Sequence, residues 1–491
     1  MSATLRTYRL FIDGTWVDGT GDEENAVISP STEEVIGSVP QASIADVEEA
    51  VAAARFAFDD GPWPRMAPKE RSRVLVAFAE AIATRRDELI ELIIDEAGSA
   101  RPIAESLQFD APLGHAFWFA ERAATFPYLE PLPPVIASGA IGQGMIAKEP
   151  VGVVAAITAF NFPVYLNLWK LFPALAMGNT VVLKPSPYTP LEAFVLAEIA
   201  QEVGLPPGTV NVVTGDLKAA ETLTTHPAVD MVSFTGSDQV GRAIQAQAAE
   251  GLKKVLLELG GKSPSIVFAG ADVAKAARSA AGSFIRHAGQ GCGLTTRVLA
   301  ERAIYDELIE AMTAVLARVT VGDPHDPATV MGPLIRETQR ARVERYVESG
   351  KKQGARLAFG GGRPAGLDRG FYVEPTLFVD VDNAMSVAQD EIFGPVSVVI
   401  PFEGEDEAVA IANDSRFGLA ASVWHAEPVR ALEVARRIKA GRVAINGGGP
   451  TMNPHGAWGG FKHSGLGREL GDYGLLEYVE LKTIEWGAGK P

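Results

Sequence analysis

From residue 151 the chain alternates continuous apolar runs with segments whose apolar positions recur at helical spacing. "VGVVAAITAF" (151–160) is apolar throughout, as expected of a strand covered on both faces. A helical segment follows, then "NTVVLKPS", the helix "LEAFVLAEIAQEVG" and "VNVVTG". Another helix leads to "MVSFTG", the helix "SDQVGRAIQAQAAEG" and "KKVLLELGG". Strands alternating with helices in this way imply parallel βαβ units. The predicted class is α/β with a doubly wound sheet, in which ligands sit at the carboxyl ends of the strands.

A second α/β series starts near residue 264. "PSIVFAG" and "RVLAERAIY" read as strands, with a helix over 305–318. "PVSVVIPF" and "RVAING" read as further strands, separated by the helix "PVRALEVARRIKAG". The glycine-rich "NPHGAWGGFKHSGLGRELG" is long for a loop, a length associated with function. The tail "LLEYVELKTIEW" has strand character. Before residue 151, the first 60 residues alternate short extended segments with turns, and 43–58 and 69–97 read as amphipathic helices. "FPYLEPLPPVIASGAIGQG" (126–144) breaks helical periodicity and reads as a linker or an extended arm.

Composition narrows the picture. A length of 491 residues suggests about three domains. With 44 basic against 61 acidic residues the net charge is −17, and no basic cluster offers a nucleic-acid footprint. No apolar stretch reaches the length of a membrane span, and the N-terminus lacks the apolar core of a signal peptide. One cysteine excludes an intramolecular disulfide framework and fits a reducing compartment, so a cytoplasmic protein is expected. The seven histidines lack metal-ligand spacing, so no metal is expected.

The single cysteine, Cys292, lies in "RHAGQGCGLTTR" between Gly291 and Gly293. Flanking glycines leave backbone N–H groups and a thiol accessible, which fits a nucleophile; an inert cysteine in a tight turn fits as well. Glu258 closes an apolar strand in "LLELGGKSP". It is either a carboxylate buried for a purpose or a solvated strand end. Asn161, in "AFNFPVYLNLWK", is an amide placed to donate to an oxyanion, or a turn asparagine. "FTGSDQVG" (234–241) opens a helix after a strand, which suits a phosphate, although Asp238 already complements the helix dipole. Lys184 and Ser186 in "LKPSPYTP" are ribose contacts or an ordinary charged turn. His287 lies five residues before Cys292, which leaves a Cys–His hydrolase dyad open.

Taken in order, "FNFP", "LKPS", "FTGS", "LELGGKSP", "GQGC", "EIFGPV" and "GGFKHSGLGRE" resemble the aldehyde dehydrogenase superfamily over essentially the whole chain. The resemblance implies a Rossmann-like cofactor domain (1–125 and 148–258), an α/β catalytic domain (259–472) and a small β oligomerisation arm (126–147 and 473–491). It implies Cys292 as nucleophile, Glu258 as general base, and Asn161 with the Cys292 N–H as oxyanion donors. Lys170 and Glu469 match a pair suspected of relaying protons from the base. Lys184, Ser237 and Glu391 match contacts to the adenine ribose, the pyrophosphate and the nicotinamide ribose, with Phe393 near the nicotinamide. The implied cofactor shell also takes in Thr158, Ala159, Phe160, Ser186, Pro187 and Gly215. Phe234, Gly236, Val240, Leu259 and Gly260 complete it.

Pro187 stands where many NAD-preferring members carry a glutamate for the ribose 2′-hydroxyl, so NADP is admitted beside NAD. Trp458 replaces a frequent phenylalanine, and with Met452, Phe162, Leu166 and Trp169 it implies an apolar substrate tunnel. The expected reaction is oxidation of an apolar aliphatic or aromatic aldehyde to the acid with NAD(P)+, by a homodimer or homotetramer. Three other readings compete: a thiol hydrolase using His287, a CoA-acylating dehydrogenase with less use for Glu258, and a non-catalytic protein on the same scaffold. The glycines beside Cys292 are expected to leave room for a large substrate, and no arginine of the matched tunnel segments is expected to hold a second carboxylate.

Overall fold

The apolar run at 151–160 forms the strand Val153–Ile157, buried at every position. The structure, a computed structural model, describes residues 5–449 and 452–489. Residues 1–4, 450–451 and 490–491, assigned above to the cofactor domain, the catalytic domain and the arm, lie outside it. Val153–Ile157 is the middle of five parallel strands in the order Lys254–Glu258, Met231–Thr235, Val153–Ile157, Thr180–Lys184, Val210–Val212. Short antiparallel strands extend both edges: Leu10–Ile12 with Thr15–Val17 on one side, Gly465–Leu466 on the other. Strand order reverses between Val153–Ile157 and Met231–Thr235, the place where a doubly wound sheet opens a ligand crevice.

The second sheet runs Arg356–Phe359, Thr376–Val379, Val396–Phe402, Thr295–Glu301, Ser263–Val267, Ala420–Trp424, Arg442–Ile445. Only its first strand is antiparallel. The chain passes from the carboxyl end of Lys254–Glu258 to the amino end of Ser263–Val267 through residues 259–262 alone. That short crossing sets the outgoing edge of one sheet against the incoming edge of the other. The segment at 126–144 is an arm rather than a linker: Leu129–Ala137 and Ala140–Pro150 form a hairpin, and Val479–Gly489 pairs with its second strand.

Several elements differ from the sequence reading. The helix expected over 69–97 is two helices, Pro68–Thr84 and Arg86–Ala97, broken where Arg85 leaves helical geometry (φ −96, ψ 19). Both pieces bury an apolar face, so the periodicity runs on across the break. The strand in "RVLAERAIY" ends at Glu301, because Arg302–Ile304 already turns into the helix Tyr305–Leu316. A π-helix, Ala104–Asp110, continues directly from the short helix Arg101–Ile103. Among the described residues no helix is long and apolar enough to cross a membrane.

Candidate active site

The strands flanking the switch point deliver two turns to the crevice. After Val153–Ile157 comes the turn carrying Ala159, Phe160 and Asn161; after Met231–Thr235 come Gly236 and Ser237. Ser237 caps the helix Asp238–Glu250, its Oγ accepting the Val240 N–H at 3.3 Å. Asp238 in the first turn is drawn toward Arg242, at 3.5 Å.

The cysteine loop owes its shape to three successive left-handed residues, His287 (φ 46), Ala288 (φ 51) and Gly289 (φ 75). Only glycine suits the third, since a Cβ there would run into the Gly394 backbone. Gln290, fully buried, fixes the loop: its Oε1 accepts the Ile335 N–H at 2.9 Å. The Gln290 carbonyl accepts from Asn161 Nδ2 at 2.9 Å. That bond uses one of the two amide hydrogens and leaves the other free. Cys292 is half-buried, and among the described residues its N–H donates to no acceptor.

Glu258 is buried, and neither carboxylate oxygen has a hydrogen-bond partner among the described residues. Burial, and then the charge of Glu469, raise its pKa well above the usual carboxylate range; Lys170 and Arg468 work against this. Lys170 Nζ lies 3.0 Å from Glu469 Oε1 and 3.1 Å from Ser233 Oγ, all of it buried. Burial and the carboxylates of Glu258, Glu391 and Glu469 push the Cys292 thiol far up, so the resting side chain is a thiol. Glu391 is tied down by the Gly261 N–H at 3.0 Å, and burial raises its pKa to about 7.

One cavity of about 340 Å³ joins these groups, within the range of small-molecule sites. Cys292, Asn161, Glu258 and Glu469 all line it. One side is lined by Ala159, Phe160, Gly236, Ser237, Leu259 and Gly260, with Glu391 and Phe393. The other is lined by Phe162, Leu166, Trp169, Met452 and Trp458, so the expected apolar walls do meet at the thiol.

Eight expected contacts do not line it: Thr158, Lys170, Lys184, Ser186, Pro187, Gly215, Phe234 and Val240. Thr158 Oγ1 donates inward to Asn167 Oδ1 at 2.8 Å, and Lys170 is engaged with Glu469. Ser186 Oγ accepts the Tyr188 N–H at 3.3 Å, and the Pro187 carbonyl accepts from Asn25 Nδ2 at 2.6 Å. The Phe234 ring occupies the space where a Cβ on Gly236 would go, and Val240 is exposed on its helix. Gly215 sits at φ 136 beyond Val210–Val212. Lys184 is buried, and burial lowers its pKa to about 8.

Gly291 and Gly293 both line the cavity, and a Cβ on Gly293 would lie 2.7 Å from Trp458 Cη2, so that glycine also admits the indole. One reading is corrected. His287 forms no dyad. It is fully buried, burial lowers its pKa to about 4, and neither ring nitrogen has a partner among the described residues. Arg297 points away from the cavity, donating to Asn383 Oδ1 and to the Ile411 and Ala412 carbonyls at 2.8 Å each. Three other arginines, Arg286, Arg342 and Arg442, do line it, as do Leu107 of the π-helix and Tyr165; Arg342 is held by the Glu391 and Ile392 carbonyls. Arg286 lies in the quoted cysteine segment, but nothing in one dimension brings Arg442 beside it.

A doubly wound crevice thus faces a lone thiol, a buried carboxylate and an amide with one free hydrogen. Residues 16–484 match the aldehyde dehydrogenase family, and the chain belongs to it. It is 41% identical over 481 residues to a geranial dehydrogenase of Castellaniella defragrans, covering 98% of this chain and 99% of that one. The fold is similar to a Mycobacterium tuberculosis aldehyde dehydrogenase complexed with NAD+, with TM-score 0.94, 44% identity and 98% of each chain covered. It is also similar to a mutant of aldehyde dehydrogenase C from Pseudomonas syringae complexed with NAD+ and octanal. There the TM-score is 0.92, with 39% identity and 97% and 96% of the chains covered.

Proposed function

We propose that this protein oxidises apolar aldehydes to carboxylic acids with NAD+, through an acyl thioester on Cys292 that Glu258 hydrolyses. The observation carrying the reading is the meeting of Cys292, Glu258 and Asn161 in one cavity with apolar walls on one side and a helix N-terminus on the other.

The residues fit NAD+. Among the described residues Thr235 Oγ1 is buried at the crevice without a partner, and Glu391 holds a carboxylate oxygen free of the Gly261 bond. Lys184 would serve the adenine ribose, Ser237 and its helix N-terminus the pyrophosphate, Glu391 the nicotinamide ribose, and Phe393 the nicotinamide. NAD+ held there would supply the hydride acceptor for oxidation of an aldehyde bound at Cys292. No carboxylate stands at Pro187 to repel a 2′-phosphate, so NADP+ is an admissible second cofactor. On this reading the chain is organised as a cofactor domain (1–125 and 148–258), a catalytic domain (259–472) and an oligomerisation arm (126–147 and 473–491). The exposed apolar side chains of the arm, Val135, Ile136, Ile484 and Trp486, are where a second copy would pair.

Each chain residue then has a task. The resting thiol must give up its proton inside the cavity, and Glu258 is the base with the raised affinity to take it. Attack on the carbonyl places the oxyanion at the free Asn161 hydrogen and the free Cys292 N–H. One such donor contributes about 10²–10³ in rate. At the thioester stage Glu258 removes a proton from water as the water attacks; the tetrahedral adduct collapses, the carboxylic acid leaves, and the sulfur regains a proton. The buried Lys170–Glu469 pair beside Glu258 offers the proton a way out. Cys292→Ala abolishes aldehyde-dependent NADH formation on this account; appreciable turnover by that variant contradicts it.

A further inference from the structure

The substrate side of the cavity does not end at its apolar walls. It continues into a second cavity that shares Gly293 beside the thiol, Leu107, Tyr165, Arg286, Leu294, Arg442 and Met452 with the first. The two stretches differ in chemistry. Trp169, Leu166 and Trp458 line only the inner one, beside Cys292. Ser106, Ser279, Ser283 and Ser422 line only the outer one. Arg286 and Arg442 stand where the two meet.

Neither guanidinium makes an ion pair or donates a hydrogen bond among the described residues. Arg286 is solvent-exposed and Arg442 partly so; both line the passage, and desolvation, then the charge of Arg442, lowers the Arg286 pKa. The carboxylates of the cavity, Glu258, Glu391 and Glu469, line only its inner part. In a chain with 61 acidic and 44 basic residues, a passage with two uncompensated arginines is a local reversal of the overall field. Arginine pairs with carboxylate through two parallel bonds, which fixes both the affinity and the orientation of an acidic ligand.

We propose that this channel selects aldehydes bearing an anionic group at the end of an apolar chain, with Arg286 and Arg442 as the specificity-determining residues. The carbonyl lies at Cys292, the apolar chain passes Trp169, Leu166 and Trp458, and the terminal anion reaches the arginines. The proposal rests on the aldehyde-oxidising reading above and deepens it. Arg286 opens the cysteine loop itself, and Arg442 opens the strand Arg442–Ile445 of the second sheet.

The test compares matched pairs, hexanal with 6-oxohexanoate, octanal with 8-oxooctanoate and decanal with 10-oxodecanoate, in the wild type, Arg286→Gln, Arg442→Gln, the double variant and Arg286→Lys. The readout is the ratio of kcat/KM for the oxo acid to that for its alkanal, in which general damage to the fold cancels. In the wild type at least one chain length gives a ratio of about tenfold or more, carried by KM and shrinking as salt is added. The double variant brings the ratio to one or below, and Arg286→Lys restores part of it. A wild-type ratio at or below one at every length, or a ratio the substitutions leave alone, overturns the proposal while alkanal oxidation keeps the reading of the site intact. If the wild type oxidises neither member of any pair, that reading falls and the proposal with it.

Discussion

Trp458 and Glu469 are paired backbone to backbone, the Trp458 N–H donating to the Glu469 carbonyl at 2.6 Å and the Glu469 N–H to the Trp458 carbonyl at 2.7 Å. This bridge joins the apolar wall of the cavity to the carboxylate whose charge helps to hold a proton on Glu258. Substrate packing and base strength are therefore set by one short piece of backbone, which itself sits in the glycine-rich stretch after the last strand of the second sheet.

Glu469→Gln removes the like charge next to Glu258 and leaves Lys170 in place, so the Glu258 pKa falls. A general base works above its pKa; the rising limb of kcat/KM against pH therefore moves to lower pH, by about one unit. A limb that stays where it is shows that Glu469 does not set the base. Lys170→Met is different in kind: it leaves Glu469 buried without its partner and costs about 3–5 kcal/mol of stability, read by denaturant unfolding.

Gly293→Ala places a methyl 2.7 Å from Trp458 Cη2. Either the indole is driven into the channel or the cysteine loop shifts, at a cost of about 1–3 kcal/mol. KM for long aldehydes rises more than for short ones. Trp458→Phe in the same chain removes the clashing ring atoms and restores both. Failure of that second substitution to rescue would place the damage in the loop backbone rather than at the indole.

Glu96 and Glu192, both fully buried, face each other between the helices Arg86–Ala97 and Leu191–Glu202. Glu96 Oε1 accepts the Leu191 N–H at 2.8 Å. Burial raises the pKa of Glu192 to about 7, and burial with the Glu192 charge raises that of Glu96 well above the usual range. Both folded values lie above the unfolded ones. Their stabilising contribution is thus fully present below the unfolded pKa, about 4.3, and is lost as pH rises through the folded values. Glu192→Gln cannot ionise, so its melting temperature matches the wild type below about pH 4 and exceeds it above about pH 8. A difference that is constant across pH would rule out a shared proton.

Legibility in the sequence followed the kind of pattern each element leaves. Val153–Ile157 is buried on both faces and announces itself as an unbroken apolar run, and from it the switch point and the cofactor side of the crevice follow. Ile44–Asp59 is marked by Ser43, whose hydroxyl accepts the Asp46 N–H while Asp46 answers at the Ser43 N–H. Thr376–Val379 and Ala420–Trp424 are four- and five-residue strands inside turn-rich surroundings, too short for periodicity to separate from a buried loop. The π-helix Ala104–Asp110 has no period of its own in the sequence. At the site, ordered motifs bring Cys292, Glu258 and Asn161 to notice. Arg442 has no such mark, because its role depends on the distant segment that carries Arg286. Gly293 was legible as unusual, but the reason, an indole from residue 458, exists only in three dimensions.

The central claim is a thioester on Cys292 that Glu258 hydrolyses, and intact-protein and peptide mass spectrometry of Glu258→Gln tests it most directly. With octanal and NAD+ present, the account predicts an octanoyl adduct on the peptide containing Cys292 that builds up in the variant and stays low in the wild type, while steady-state turnover falls about 10²–10⁴-fold. Loss of turnover in Glu258→Gln with no acyl mass on Cys292 would contradict it.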